Sequence, residues 1–296
     1  MNARITHLST IAREAASVAA EYLRGLDRSH MEREYKLSAQ DIVTVHDKKA
    51  ELLIREVIAA RIPGARIVGE EGGVSEPESP GDDAQGVADD ACVTFYVDPI
   101  DGTSNFAAGM PLFAVSIGVA IDEVLVAGVI NAPILEQEFW SDHTGAYLGE
   151  RRLGPHRTSA QKDALVLSSF PGWKDLAERP EFALEATKQL KTSTAAVRAL
   201  GTAALELAYV AAGWADAAML SRIASWDVAA GYHLVRQAGG SLRTWSGVAG
   251  ETPEDSPIPE QLRPAYVACK GVERLDVLDT LQQHIHERRG KEGTQK

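Results

Sequence analysis

Cysteine is scarce: Cys92 and Cys269 are the only two among 296 residues. So few thiols build no disulfide framework, and both lie in apolar, strand-like runs, so they read as inert core residues in a reducing compartment. No Cys/His spacing of the zinc-binding kind occurs. Aromatic residues make up only 6% of the chain, and no apolar run is long enough to cross a bilayer. The opening stretch MNARITHLSTIAREA lacks the apolar core of a signal peptide, which makes the cytoplasm the expected location. Positive charge is in short supply too, with 30 Lys and Arg against 42 Asp and Glu and a net charge of -12. That balance argues against nucleic acid or a membrane surface as a partner. It leaves an anionic small molecule open, because bound cations invert a local field.

What the chain does have is aliphatic residues and enough length for one large domain or two packed subdomains. Apolar residues at helical spacing predict a helix over Thr10–Leu23, and Ala50, Leu53, Ile54, Val57 and Ile58 predict another that ends before Pro63. Arg66–Gly69 reads as a short strand followed by Glu70 and Glu71, and 74–90, acidic and rich in Pro, Gly and Ser, as a mobile surface loop. Strands over Leu112–Ile121 and Val124–Asn131, continuing toward Tyr147, give residues 1–155 the pattern of helices on an antiparallel sheet. Strands and helices then alternate, ending in a helix over Val272–Ile285, so 156–287 reads as an α/β subdomain and 288–296 as a flexible tail.

The stretch Asp98-Pro99-Ile100-Asp101-Gly102-Thr103-Ser104-Asn105-Phe106 stands out. It follows the apolar run 92–97, a buried strand by composition, so two carboxylates sit at a strand end with a proline between them. Pro99 biases Asp98 to extended backbone, Gly102 permits close approach of a ligand, and Thr103 to Asn105 suit a helix start. Such an arrangement suits a divalent cation and a phosphate, and it equally suits an Asp-rich turn capping a short helix. Asp47, Glu70 and Asp227 also fall at element ends. Each alone is readily a cap, a first-turn acid or a solvated charge. Together, four carboxylate positions from different elements could hold two cations that activate a water and stabilise a leaving oxygen.

The blocks Lys36-x-Ser38-x-x-Asp41-x-Val43-Thr44-x-x-Asp47, Gly69-Glu70-Glu71, the Asp98 stretch and Trp226-Asp227-x-Ala229-Ala230-Gly231 resemble, in order, those of the inositol monophosphatase family. The resemblance runs from about residue 10 to 285 and implies a layered αβαβα sandwich, usually homodimeric. It also implies a lithium-sensitive phosphatase using two to three Mg²⁺ ions, with Mn²⁺ as a substitute. By that resemblance Glu70, Asp98, the Ile100 carbonyl, Asp101 and Asp227 are the metal ligands. Asp47 and Thr103 would orient and deprotonate the attacking water, the Gly102 and Thr103 N–H groups cradle the phosphate, and Lys36 sits on a mobile loop near the site.

The substrate pocket departs from the family pattern. Leu220, seven residues before Asp227, replaces a glutamate that bonds inositol hydroxyls in inositol-specific members, and a leucine accepts no hydrogen bond. Ala203 and Arg222 are the other expected substrate-side residues, Arg222 as a candidate for a second anionic or planar group. The expectation is an Mg²⁺-dependent phosphomonoesterase for a small polar ester. Inositol, histidinol, sugar and nucleotide phosphates are all candidates. The alternative of another class is a regulatory protein that keeps the fold and binds a partner.

Overall fold

A computed structural model describes residues 1–28, 34–35, 42–43, 45–75, 91–248 and 251–293, without the side chains of 34–35, 42–43 and 288–293. In chain order it contains α1 (Asn2–Arg24), β1 (Glu34–Tyr35), β2 (Ile42–Val43), α2 (Val45–Arg61), β3 (Arg66–Gly69), β4 (Gly73–Ser75), β5 (Val93–Asp101) and α3 (Thr103–Ala107). Five strands follow: β6 (Ala114–Ile121), β7 (Val124–Ala132), β8 (Gln137–Asp142), β9 (Gly145–Leu148) and β10 (Arg151–Leu153). The remainder is β11 (Leu165–Leu167), α4 (Trp173–Glu178), α5 (Pro180–Ser193), β12 (Ala196–Arg198), α6 (Ala203–Ala211), β13 (Ala217–Leu220), α7 (Ser225–Gln237), β14 (Ser241–Trp245), β15 (Ala265–Cys269) and α8 (Asp276–Gly293).

These elements stack in five layers. α1 and α2 cover one face of an eight-stranded sheet ordered β10-β9-β8-β7-β6-β5-β3-β4, and α6 and α7 cover the other. The second faces of α6 and α7 meet a five-stranded sheet, β12-β11-β13-β15-β14, which α5 and α8 close from outside. Burial follows from that position. β5 and β6 are covered on both faces and buried along their whole length, so their sequences run apolar without alternation. α1 turns a mostly alanine stripe (Ala12, Ala15, Ala16, Ala19 and Ala20) onto the sheet, which lets the helix lie close. Among the described residues, no helix is long and apolar enough to cross a membrane.

The αβαβα sandwich holds, with local differences from the sequence reading. The first sheet is not wholly antiparallel, because β3 pairs parallel with β5. β4 returns as a hairpin from β3 and takes the sheet edge, so Val74 and Ser75 are strand, not loop. The rest of the acidic stretch, 76–90, and Lys36 lie outside the described residues. Cys269 is buried in β15 as expected, but Cys92 is exposed, one residue ahead of β5, and is not a core residue. The last helix begins at Asp276 and continues to Gly293.

α7 is seated by glycine. Gly118 of β6 and Gly128 of β7 are directly paired, leaving a notch in the sheet surface. A Cβ on Gly118 would come 2.4 Å from the Cβ of Ala229, and one on Gly128 would come 2.6 Å from the carbonyl oxygen of Ala230. On the opposite side, a Cβ on Gly231 would meet Leu207 of α6 at 2.5 Å. The Ala229-Ala230-Gly231 run thus wedges α7 between sheet and α6, and sets where Asp227 falls. Gly128→Ala is expected to lower stability by roughly 1–3 kcal/mol, the usual range for overpacking, read as a fall in Tm.

His233, on the same helix, is buried and meets the Ser141 hydroxyl of β8 through Nδ1 at 2.8 Å. Burial pulls its pKa down to about 4, aided by Arg236 and opposed by Asp142. The folded protein therefore keeps this ring neutral where the unfolded chain, with an ordinary histidine pKa near 6.5, takes up a proton. Stability falls as pH drops from 6.5 toward 4, by up to about 3 kcal/mol for this group. Denaturant midpoints should show that slope in the native sequence and a shallower one in His233→Asn.

Candidate active site

β5 makes a register slip at its end. Asp98 pairs with Ser116 and Asp101 with Ala114, so three steps on β5 match two on β6. The extra residue is a β-bulge between Asp98 and Asp101, a stretch that includes Pro99, which has no N–H to give the ladder. In a regular strand, residues three apart face opposite sides. The bulge cancels one step and turns Asp98 and Asp101 to the same side. The Ile100 N–H donates to Asp98 Oδ1 at 2.9 Å, closing the turn around the proline.

The parallel pairing of β3 and β5 brings in the next acid. Gly69 is opposite Val97, and the Glu70 N–H donates to the Val97 carbonyl at 3.2 Å, so Glu70 leaves its strand beside Asp98. Asp227 enters from α7, where its Oδ2 accepts from the Ala224 N–H at 2.9 Å as part of the helix cap. One carboxylate oxygen from each of Asp98, Asp101 and Asp227 lies within 4.8 Å of the other two.

Asp98 and Asp101 are buried. Burial raises the Asp98 pKa well above the ordinary carboxylate value, and the charges of Glu70, Asp101 and Asp227 raise it further. Asp101 is raised by burial and by Asp227, against hydrogen bonds from Thr202 and Ala204 that favour its charged form. Several acids crowded in a dry pocket are unfavourable as anions unless a cation joins them. Hard oxygen donors from separate elements, near a main-chain carbonyl at Ile100, fit a hard divalent ion.

Gly102 follows at φ 96°, left-handed backbone that favours glycine, and α3 starts at Thr103. Any Cβ there would crowd the Leu112 and Gly201 carbonyl oxygens, at 3.1 and 3.2 Å. The Thr103 hydroxyl lies 3.1 Å from Asp47 Oδ1 and 3.0 Å from the Ile100 carbonyl. Asp47 is in the first turn of α2 and is buried. The structure therefore brings Asp47 and Thr103 together, and Asp98, Asp101 and Asp227, with Glu70 alongside.

On the substrate side, Ala203 opens α6 and is buried, next to Ala204. Leu220, half-buried, ends β13. Arg222 is exposed, and its guanidinium is engaged by Glu178 at 2.6 Å, with Asp175 at 3.7 Å.

Three supports escaped the sequence reading. Glu51 is buried, and its carboxylate accepts from the N–H groups of Glu71 at 2.7 Å and Gly72 at 2.9 Å, pinning the turn that carries Glu70. Arg55 bonds Glu51 at 2.7 Å, the Gly73 carbonyl at 2.8 Å and Ser75 at 2.8 Å. Asp47, Glu51 and Arg55 are spaced four apart, one face of a helix. That spacing is visible in the sequence, beside the apolar stripe that predicts the helix. Asp101 Oδ2 accepts from the Thr202 hydroxyl at 2.5 Å and the Ala204 N–H at 2.6 Å, and the Asn105 amide donates to the Leu112 and Leu200 carbonyls at 2.7 and 2.8 Å. The first ties the second half of the chain to Asp101, the second ties it through Leu200 to α3, and neither has a local sequence signature.

The family model for the inositol monophosphatase family matches residues 3–286. An inositol-1-monophosphatase of Caulobacter vibrioides is 37% identical over 240 residues, covering 78% of this chain and 87% of that protein. The Nus factor SuhB of Pseudomonas aeruginosa is 35% identical over 239 residues, covering 80% and 85%. Among solved structures, the extragenic suppressor protein suhB from Bartonella henselae superposes with a TM-score of 0.74 at 29% identity, covering 94% of this chain and 98% of that one. With a family match over nearly its whole length and an acidic cluster suited to cations, the chain belongs to the inositol monophosphatase family and is a phosphoric monoester hydrolase.

Proposed function

We propose that the protein hydrolyses a small phosphate monoester with Mg²⁺, or Mn²⁺ in its place, by in-line attack of water and without a phosphoenzyme. The observation that carries this reading is the convergence of the Asp98, Asp101 and Asp227 carboxylates. Glu70, Asp98, the Ile100 carbonyl, Asp101 and Asp227 would hold the cations, which when bound lower the pKa of a water and neutralise charge on the phosphoryl oxygens. Thr103 has one hydroxyl proton and two acceptors within reach. Donated to Asp47, that proton leaves an oxygen lone pair to orient the water, and Asp47, buried and aimed at the hydroxyl, takes up the proton released on attack. The N–H groups of Gly102 and Thr103 precede the first complete turn of α3, where helical N–H groups have no intrahelical acceptor, and would receive the phosphoryl oxygens.

Phosphate release from inositol, histidinol, fructose, glycerol and adenosine phosphates, with Mg²⁺ and with chelator, tests the reading. Chelation should abolish turnover. Asp98→Asn should remove activity while circular dichroism stays native, and normal turnover by that variant would overturn the assignment. Thr103→Val should lower kcat by roughly 10²–10⁴-fold, the range for positioned acid–base groups, with KM little changed.

Glu51 is proposed as a positioning residue, acting through the turn that carries Glu70. Glu51→Gln should raise the Mg²⁺ concentration for half-maximal rate about 10–100-fold, as loss of a supporting partner does at metal sites. An unchanged Mg²⁺ requirement would mean that the turn holds without it.

A further inference from the structure

A cavity of about 290 Å³ opens at the carboxyl ends of β11 and β13. The sheet it opens on is joined to the acidic cluster through its connecting segments. β11, β12 and β13 are parallel, so the segments that follow them leave the sheet on one side. The one after β12 carries Thr202 onto Asp101, and the one after β13 runs from Leu220 to Ala224, held by Asp227. Ligand sites in sheets of this kind form where such segments diverge.

The lining is mixed: Ser169, Lys174, Asp175, Ser221 and Arg222 are polar, and the apolar part is one patch made by Phe170, Trp173 and Leu220. Phe170, buried, and Leu220 form the inner surface, and Trp173 stands at the mouth, 49% exposed, with the Lys174 ammonium 5.4 Å from its ring centre. Arg222 lines the same cavity, but its charge is met by Glu178 and Asp175. On that patch a polyol would press hydroxyls against Leu220 and Phe170, whose side chains offer no hydrogen bond in return for the hydration lost. A planar ring loses nothing of that kind and stacks on an indole.

We propose that this cavity is the subsite for the alcohol part of the substrate and that it takes a single aromatic ring, making the preferred substrate a phosphate monoester of an arylalkyl alcohol. The inference rests on the phosphatase reading above. The volume is at the small end of ligand pockets and suits one ring on a short linker. An apolar pocket discriminates against added hydroxyls only moderately, so the preference is one of degree.

The test compares kcat/KM for 2-phenylethyl phosphate and myo-inositol 1-phosphate, both esters of unactivated alcohols. The ring-bearing ester should be favoured about 10–100-fold, the range for apolar pockets. Trp173→Ala should bring that ratio to within a few fold by raising KM for the aromatic ester, and Leu220→Glu should shift it toward the polyol. Equal rates, a polyol preference, or a ratio that neither substitution moves would overturn the proposal. If no ester released phosphate, the phosphatase reading would fall. Calorimetric titration of the same two esters in Mg²⁺ would then decide the cavity: tighter binding of the aromatic ester, lost in Trp173→Ala, supports it, and equal binding overturns it.

Discussion

Three carboxylates held within 4.8 Å of one another, two of them buried, are the constraint on which the rest of this structure depends. Left alone they repel, and burial makes the repulsion worse. The fold must therefore spend rigidity to keep them together, and much of its detail reads as the means of doing so. A bulge between Asp98 and Asp101 turns the two to one side. A parallel strand pair delivers Glu70 beside Asp98. A glycine notch between β6 and β7 seats the helix that carries Asp227.

The supports are largely main chain. Asp98 is held by the Ile100 N–H, Asp101 by the Ala204 N–H, and Asp227 by the Ala224 N–H. Backbone donors fix a carboxylate's orientation without adding a full positive charge, so they leave its negative charge available to a cation. Glu51 applies the same device in reverse, its carboxylate gathering the N–H groups of the turn next to Glu70.

The alcohol side of the site follows another logic. It is assembled from the segments after β11 and β13, with Phe170, Trp173 and Leu220 as its apolar patch. The acids come from four places along the chain that are locked by strand pairing and helix caps, whereas this wall comes from connecting segments, which change with less cost to the core. That division lets a family keep one reaction and vary its substrate.

Local signals were enough to read the strand ending at Asp98 and Asp101, the helices around Asp47 and Asp227, and the alternation of the second half. Those residues needed only their neighbours in the chain to be legible, because capping, proline geometry and apolar spacing act over a few positions. The exposure of Cys92, the parallel β3–β5 pair, the Thr202 bond to Asp101 and the Glu51 clamp on the Glu70 turn were not legible, since each depends on residues brought together from distant parts of the chain. The alanines and glycine after Asp227 could be quoted as a motif, but their purpose is spatial: they remove side-chain volume where α7 meets the sheet and α6. The sequence by itself determined which chemical groups the protein possesses and which elements carry them. Only the tertiary structure decided which of those groups face one another, because burial and repulsion act between atoms in space whatever their order in the chain.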